Sequence, residues 1–444
     1  MNTKLFALLF LLSGAAFAQG EYQGPEILSR GGTDVGQRNG QPVDLHFFAD
    51  VSGIYDTAFT PVSIGNNGKI VDLGGVYGVE ADLGLYGTHS WNRSVLRVNY
   101  HGDYRDYNQD VGLNGTDQQL ELRFQHQFSR RLAVVLREAA GTASYAFGTI
   151  GGYGTPENPF IAVPTDQIFD NRVTFGQSGV SVVYQKSARL SYSLGGDGFA
   201  VRHQASGFVG LNGYDARGDV AYRISRVSTI TADYNYDHFD YEGLFGSSDA
   251  HSLALGYNRS LTRRWQLLLR SGIVYVQSKG LAVVQNDPAV AAILGEPTTI
   301  TAFYATSLFP LVDGRISAHF RHSTLSFQGG QTINPGNGVF LTSKSEEVGS
   351  YYSYSGIRKL DFSLHGYYSR LSSVGQQIGT YAAYTAGSGL TYKMVRSFRL
   401  IVNFDARHYN IPGQPGVLAP FNQNSYRVAV GIGFSPGEIP LVLW

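Results

Sequence analysis

The chain of 444 residues contains no cysteine and only two methionines, and charged residues make up just 15% of it. Without cysteine there is no disulfide framework, no thiolate metal centre and no thiol nucleophile. The 34 lysines and arginines are matched by 34 aspartates and glutamates, so no basic excess marks the chain for nucleic acid. Beyond residue 18 no apolar run approaches the roughly 20 residues that a membrane-spanning helix requires. A helical membrane protein is therefore excluded. What the sequence has instead is 55 glycines, 29 tyrosines and 26 phenylalanines. Aromatics placed at two interfaces, with glycine in loops and kinks, suit a wall one side chain thick.

Residues 1–18 read as a secretory signal: Lys4 supplies the positive start, Leu5 to Leu12 the apolar core, and Ala16-Phe17-Ala18 the cleavage site before Gln19. Residues 19–42, with Gly24, Pro25, Gly31, Gly32, Gly36, Gly40 and Pro42, show no periodicity and are expected to form an irregular periplasmic segment. From 43 to 434 one pattern repeats. Leu120-Glu121-Leu122-Arg123-Phe124-Gln125-His126-Gln127-Phe128 shows the unit, apolar residues at every second position with polar or charged ones between. In a strand that alternation gives one greasy face and one polar face.

About eighteen such segments are expected, or sixteen if one weak pair is not real. Their connections alternate in length. Short Ser- and Arg-rich turns (Ser129-Arg130-Arg131, Ser187-Ala188, Ser225-Arg226) alternate with long links rich in Gly, Pro, Asn and Thr, such as 148–172, 279–297, 327–343 and 411–422. Short periplasmic turns and long outer loops are the topology of a bacterial outer-membrane barrel, and an even strand count returns the chain to the periplasm. The expected fold is all-β, a transmembrane antiparallel up-and-down β-barrel over 43–434. A tail, 435–444, follows, whose Pro436 and Pro440 argue against a simple ladder. Either Phe434 or Trp444 could provide the aromatic that ends such barrels.

Parity assigns the faces. Tyr77, Val79, Ala81, Leu83 and Leu85 point to lipid and leave Glu80 and Asp82 inside. Leu96, Val98, Tyr100 and Tyr104 point out, with Arg97, His101, Asp103 and Arg105 inward. By the same rule Glu121 and Arg123 face inward, as do Arg315, His319 and Arg321 from a segment 312–326, and Arg399, Asp405 and Arg407 from a segment 396–410. These are the expected pore-lining residues. An interior ringed by about eighteen strands is too wide for side chains to fill and should hold water.

Other constellations carry less. The pairs His89-Ser90, His251-Ser252 and His322-Ser323 put their members on opposite faces of a strand, so none forms a nucleophile and base. His101 and Asp103 share a face with Arg105, but one imidazole and one carboxylate are too few for a metal, and no metal or other cofactor is expected. Asp233, Asp237, Asp240 and Glu242 read as a polar rim. Loop 148–172 holds Phe160, Ile161, Val163, Ile168 and Phe169 and is expected to pack, either folded inward as a constriction or over the outer face.

On these features the chain resembles the broad class of bacterial outer-membrane porin-like barrels. Its Ser-Arg and Arg-Arg turns, the Tyr/Asp-rich strand end Tyr234-Asn235-Tyr236-Asp237-His238-Phe239 and the Pro-Gly-Glu-Ile-Pro-Leu tail are similar to those of little-characterised barrels from environmental Gram-negative bacteria. The resemblance implies an outer-membrane protein of a Gram-negative envelope, in contact with lipid and lipopolysaccharide, inserted by the barrel-assembly machinery and standing as a monomer or a homo-oligomer. The expected function is passive diffusion of small polar solutes, without enzymatic activity. Export of an exopolysaccharide with periplasmic partners is the alternative, and a membrane-embedded hydrolase is disfavoured for want of convergent catalytic groups.

Overall fold

A computed structural model of the chain describes residues 43–57, 63–64, 70–71, 75–108, 114–144, 154–155, 158–159, 172–204, 208–243, 245–285, 298–374, 380–395, 397–411, 421–436 and 439–441. The expected signal and leader, 1–42, and nearly all of loop 148–172 lie outside these residues. Eighteen long strands make one antiparallel sheet: β1 (Val43–Asp56), β2 (Val76–Ser90), β3 (Ser94–Tyr107), β4 (Gly115–Ser129), β5 (Leu132–Ser144), β6 (Arg172–Gln185), β7 (Leu190–His203), β8 (Leu211–Ser225) and β9 (Ser228–Tyr241) form the first half. The second half is β10 (Gly246–Ser260), β11 (Trp265–Gln285), β12 (Thr298–His319), β13 (Ser323–Asn334), β14 (Ser343–Ile357), β15 (Leu360–Ser373), β16 (Thr380–Lys393), β17 (Phe398–Ile411) and β18 (Phe421–Phe434). Each pairs with its neighbours in sequence. The first meets the last, Ala49 opposite Phe434 through Asp56 opposite Arg427. The sheet is thus a closed up-and-down barrel, as the alternation predicts.

The short turns at one end share a local device. Ser129 Oγ accepts from the backbone N–H groups of Arg131 and Leu132 at 3.2 and 3.1 Å, and Ser187 Oγ from those of Arg189 and Leu190 at the same distances. Thr262 Oγ1 accepts from Arg264 and Trp265, both at 3.1 Å. A hydroxyl beside an arginine therefore satisfies the amides that a reversal leaves unpaired, which explains the Ser/Thr-Arg signature of these turns.

Side-chain exposure follows parity around the wall. Outward positions expose large apolar groups, such as Val51, Val79, Leu83, Leu194, Leu255, Val430 and Ile432. Inward positions bury polar ones: Arg105, Asp103, Asp117, Asp197, Asp405, Arg407 and Arg427 are each at most 6% exposed. This inverts the water-soluble arrangement, and an apolar belt around a polar interior is what a bilayer-spanning sheet requires.

Several boundaries differ from expectation, and the links expected at 279–297 and 327–343 remain strand as far as Gln285 and Asn334. The break expected between strands over 298–309 and 312–326 is absent: β12 runs through Pro310 from Thr298 to His319. Above Val312, β12 pairs with β11 but no longer with β13, so Pro310 sits where the strand has a sheet neighbour on one side only. A missing N–H costs least there. As a result Arg321 lies exposed in the turn 320–322, outside the alternation that gave it an inward face. The tail also departs from expectation: after a break at Ser435 and Pro436, Ile439–Leu441 rejoins the sheet against Val43–Leu45, with Pro440 opposite Asp44. Where alternation suggested one strand over 70–86, β2 begins at Val76, after a two-residue ribbon of Ser63–Ile64 with Ile70–Val71.

The face assignment predicts a difference between neighbours on β17. Val402 points outward and Asn403 points inward, where it is exposed. Val402→Arg should destabilise the barrel by roughly 2–4 kcal/mol if it sits near mid-bilayer, and Asn403→Arg by much less. Refolding into lipid vesicles, read by the mobility difference between unboiled and boiled protein on a denaturing gel, checks this; equal loss at both positions would contradict the assignment.

Candidate functional site

The inward face divides by height. Toward the long-loop end of β5–β9 it is apolar: Ala139, Ala143, Val173, Phe175, Phe199, Val201, Leu211, Phe239 and Tyr241 form one buried cluster. Ala250, Ala254, Val274, Val276 and Leu311 continue it onto β10–β12. An apolar patch inside a water-filled barrel needs a cover, and the connection 335–342 between β13 and β14 supplies it. Leu341 joins the first cluster, while Phe340, fully buried, packs against Leu371, Tyr381, Ala383 and Tyr409 of β15–β17.

Polar anchors fix this loop across the lumen. Tyr241 Oη of β9 donates to Pro335 O at 2.9 Å and lies 2.8 Å from Thr342 Oγ1. Thr342 Oγ1 in turn donates to Ser248 Oγ of β10 at 2.5 Å. On the β7–β8 connection, Val209 N donates to Gly338 O at 3.0 Å. The loop thus bridges from the β7–β8 side to β17. Its own turn is closed by Asn337, whose Oδ1 accepts from Val339 N and Phe340 N at 3.2 and 3.0 Å. Gly336 and Gly338 hold φ of 94° and 86°, which an L side chain rarely adopts. The sequence marked this stretch only as part of a long link, 327–343. The mix of Pro335, Gly336, Asn337 and Gly338 with Val339, Phe340 and Leu341 was its available signal.

The arc away from this loop, from β18 through β1 to β4, carries a charged network beside a small buried apolar cluster of Ile54, Val76, Tyr107 and Ala429. Arg105 is its hub: Nε donates to Glu80 Oε1 at 3.0 Å, an Nη contacts Asp103, and Asp117 lies 3.6 Å away. Arg172 reaches Asp117 at 2.9 Å. On the other side Arg427 pairs with Glu80 and stands 4.0 Å from Asp56, which accepts from Tyr107 Oη at 3.2 Å. Removing one partner from so buried a network leaves uncompensated charge, so its members hold one another in place. The sequence found Glu80, Asp103 and Arg105 but missed Asp117, Arg172 and Arg427. Only strand register brings those three in.

The remaining predicted lining residues fall on the inward parity, with Arg321 the exception already noted. His101 lies 3.8 Å from Asp82, His365 3.1 Å from Asp405, and Arg399 2.8 Å from Asp50. Arg407 donates to Thr385 Oγ1 at 3.1 Å and to Tyr409 Oη at 2.7 Å, and Arg315 to Gln328 Oε1 at 2.8 Å. His319, half-buried, ends β12 on the same face, and Glu121 lies one inward position from Arg123 on β4. Arg97, Arg123 and Arg137 stand in register on β3, β4 and β5. Continuing that row past Gly179 of β6 come Asp197, Asp215 and Asp237 on β7, β8 and β9. Three cations therefore adjoin three carboxylates along one line of the wall.

Glycine lets several of these pairs skip a strand. Arg137 and Asp197 join at 2.8 Å across Gly179, Arg399 and Asp50 across Gly433, and His365 and Asp405 across Gly387. At Gly179 an added Cβ would strike the Asp197 carboxylate, and at Gly387 it would strike both partners.

Oxygens of Glu80, Asp82 and Asp103 lie within 4.8 Å of one another, a grouping that the sequence did not reveal. Arg105 and Arg427 already neutralise Glu80 and Asp103, so the group reads as part of the ion-pair network. Asp233, Asp237, Asp240 and Glu242 do not act together: Asp233 pairs with Arg270, Asp237 accepts from Asn235, and Glu242 meets Arg202 at 2.8 Å. A Ser–His hydrogen bond does occur, Ser94 Oγ to His126 Nδ1 at 2.8 Å, but on the outward face with Phe124 and Phe128 against the imidazole.

No family model and no curated protein matches the sequence. Among solved structures the chain is similar to the outer membrane protein OpdK from Pseudomonas aeruginosa, with 12% identity, 88% of this chain and 99% of that one covered, and a TM-score of 0.41. It is also similar to OccAB1 of Acinetobacter baumannii (10% identity, 91% and 99% covered, TM-score 0.43) and to a BenF-like porin from Pseudomonas fluorescens (11%, 88% and 99%, TM-score 0.44).

The strand-skipping pairs make a sharp prediction. Gly179→Leu should separate Arg137 from Asp197 and cost roughly 1.5–3 kcal/mol, the worth of a charge-assisted hydrogen bond. On the same strand Gly176→Leu, where an added Cβ meets nothing within 4 Å, should leave the barrel as stable as before. Denaturant midpoints of the refolded variants distinguish the two.

Proposed function

We propose that the protein is an outer-membrane channel for passive diffusion of small polar solutes. The observation that carries this reading is the contrast between two arcs of the inward face: loop 335–342 packs on the apolar arc, whereas the arc from β18 through β1 to β4 carries a network of ion pairs. A barrel of eighteen strands is wider than side chains can fill, so water can occupy the remaining passage. The outward apolar belt suits lipid, and the short-turn end then faces the periplasm. In this reading residues 1–18 are the export signal, removed after Ala18. Glu80, Asp82, Arg97, His101, Asp103, Arg105, Glu121, Arg123, Arg315, His319, Arg399, Asp405 and Arg407 line the pore.

The charges set which solutes pass. Ion pairs along the wall cancel at long range and leave transverse fields close to it, which favour dipolar over strongly charged solutes. The row Arg97-Arg123-Arg137 beside Asp197-Asp215-Asp237 is the strongest such field, because like charges stand side by side within each half. No catalytic step is needed by this arrangement, and the wall acts by size, water and charge alone.

Planar-bilayer recording tests the reading. The purified protein should conduct, and deletion of 336–341 should raise its conductance, since that segment crosses the lumen. Replacing Arg97, Arg123 and Arg137 together by Gln should shift selectivity toward cations at low salt. The shift should shrink at 1 M salt, where the Debye length is about 3 Å. A folded protein that does not conduct, with or without 336–341, would overturn the proposal.

A further inference from the structure

The outward belt of large apolar side chains is interrupted over β5, β6 and β7. On β17 it runs through Phe398, Leu400, Val402 and Phe404, and on β18 through Ile432, Val430, Val428 and Tyr426. On β5 it stops at Leu136, on β6 at Val180 and on β7 at Leu194, all strongly exposed. On β7 Gly196 follows, in register with Val180 and Leu136, and above it the outward positions form two rows: Glu138, Ser178 and Gly198, then Ala140, Gly176 and Ala200. Glu138 is exposed and accepts from Ser178 Oγ at 2.6 Å. It stands midway along β5, at a distance from the short turns where β4 carries Leu122, β17 Phe404 and β18 Val428. At Gly176 and Gly198 a Cβ would meet nothing within 4 Å, so the backbone there is bare.

Lipid is a poor neighbour for this surface. Hydrocarbon offers a carboxyl no donor, and an ionisable group facing it at depth is costly. The occupant must bring hydrogen-bonding groups to that height and must fit against a flat patch. A second copy of the chain does both. Copies inserted the same way in one membrane stand at equal height around an axis parallel to the barrel, so each presents its own Glu138–Ser178 row to the other's hydroxyl and carboxyl. The glycines and alanines let two walls approach to backbone distance, and Leu136 and Val180 below them, with Leu194 one outward position lower, supply the apolar flank.

We propose that the outward face of β5–β7 around Glu138 is the interface between copies of this protein. The proposal rests on the membrane-spanning reading above. The chain has no cysteine, so single-cysteine variants report one position each without background. Ala140→Cys, Gly176→Cys and Gly198→Cys, treated with an oxidant or a short bis-maleimide in intact outer membranes, should give covalent dimers. Val430→Cys, outward on β18, should not.

Gly176→Trp should abolish cross-linking through Ala140→Cys and reduce the mass in mild detergent to that of one chain, while the unboiled gel mobility of a folded barrel is kept. Glu138→Leu should weaken association in the same way. A single-chain mass for the unaltered protein, with no cross-link from any of the three positions, would overturn the interface. Equal cross-linking through Val430→Cys would overturn it too, by showing random collision. Loss of heat-dependent mobility in the unaltered protein would instead refute the membrane barrel itself.

Discussion

The pairing of Ala49–Asp56 with Arg427–Phe434 is the constraint from which the rest of the structure follows. A sheet of this length left open would carry two rows of unpaired amides and carbonyls, which a bilayer cannot satisfy and a second chain would exploit. Closing it pairs those edges and creates an inside. Once an inside exists, the two-residue period of each strand becomes a choice between lipid and lumen, and a one-residue slip would turn every charge outward. The seam is reinforced on both sides. Arg399 of β17 reaches over β18 to Asp50 of β1, and Ile439–Leu441 extends the pairing beneath Leu45.

A chain so poor in charge spends most of its strand charges on the interior. There the ion pairs run across the strands, and several jump one. That requires inward glycines at Gly179, Gly387 and Gly433, where any side chain would stand between the partners. Some of the many glycines therefore serve electrostatics. They clear the line of sight between charges that the register sets two strands apart.

The inserted loop answers a second problem. Inward apolar groups near the long-loop end of β5–β12 would face water in an empty barrel, and Phe340 and Leu341 give that layer a second face to pack on. Burial of an aromatic ring and a leucine, with the hydrogen bonds from Tyr241 and Ser248, fixes a short segment that glycine and asparagine turn sharply. In the proposed channel, the passage then lies toward the charged arc. On the outer side of the apolar arc the belt thins as well: over β5–β7 large apolar groups give way above Leu136 and Val180 to Glu138, Ser178 and small residues.

Sequence alone pointed to a closed antiparallel wall of about eighteen strands, with sixteen left open, and to an inward parity for most strand charges, because these follow from a local alternation of two residues and from the length of the gaps between strands. Thus Glu80, Arg105 and Arg399 were placed inward from their neighbours' identities. The alternation failed at Pro310 and Arg321, where pairing on one side only let a strand run on through a proline and carry the turn with it. Which charges meet was not legible: Arg427 and Glu80 lie 347 residues apart, and only closure and register bring them together. Nor was the choice of 335–342 as the loop that enters the lumen, since its partners Tyr241, Ser248, Leu371, Tyr381 and Tyr409 are spread over five strands. Contacts of that kind depend on the curvature of the whole wall, to which every strand contributes and which no stretch of sequence encodes by itself.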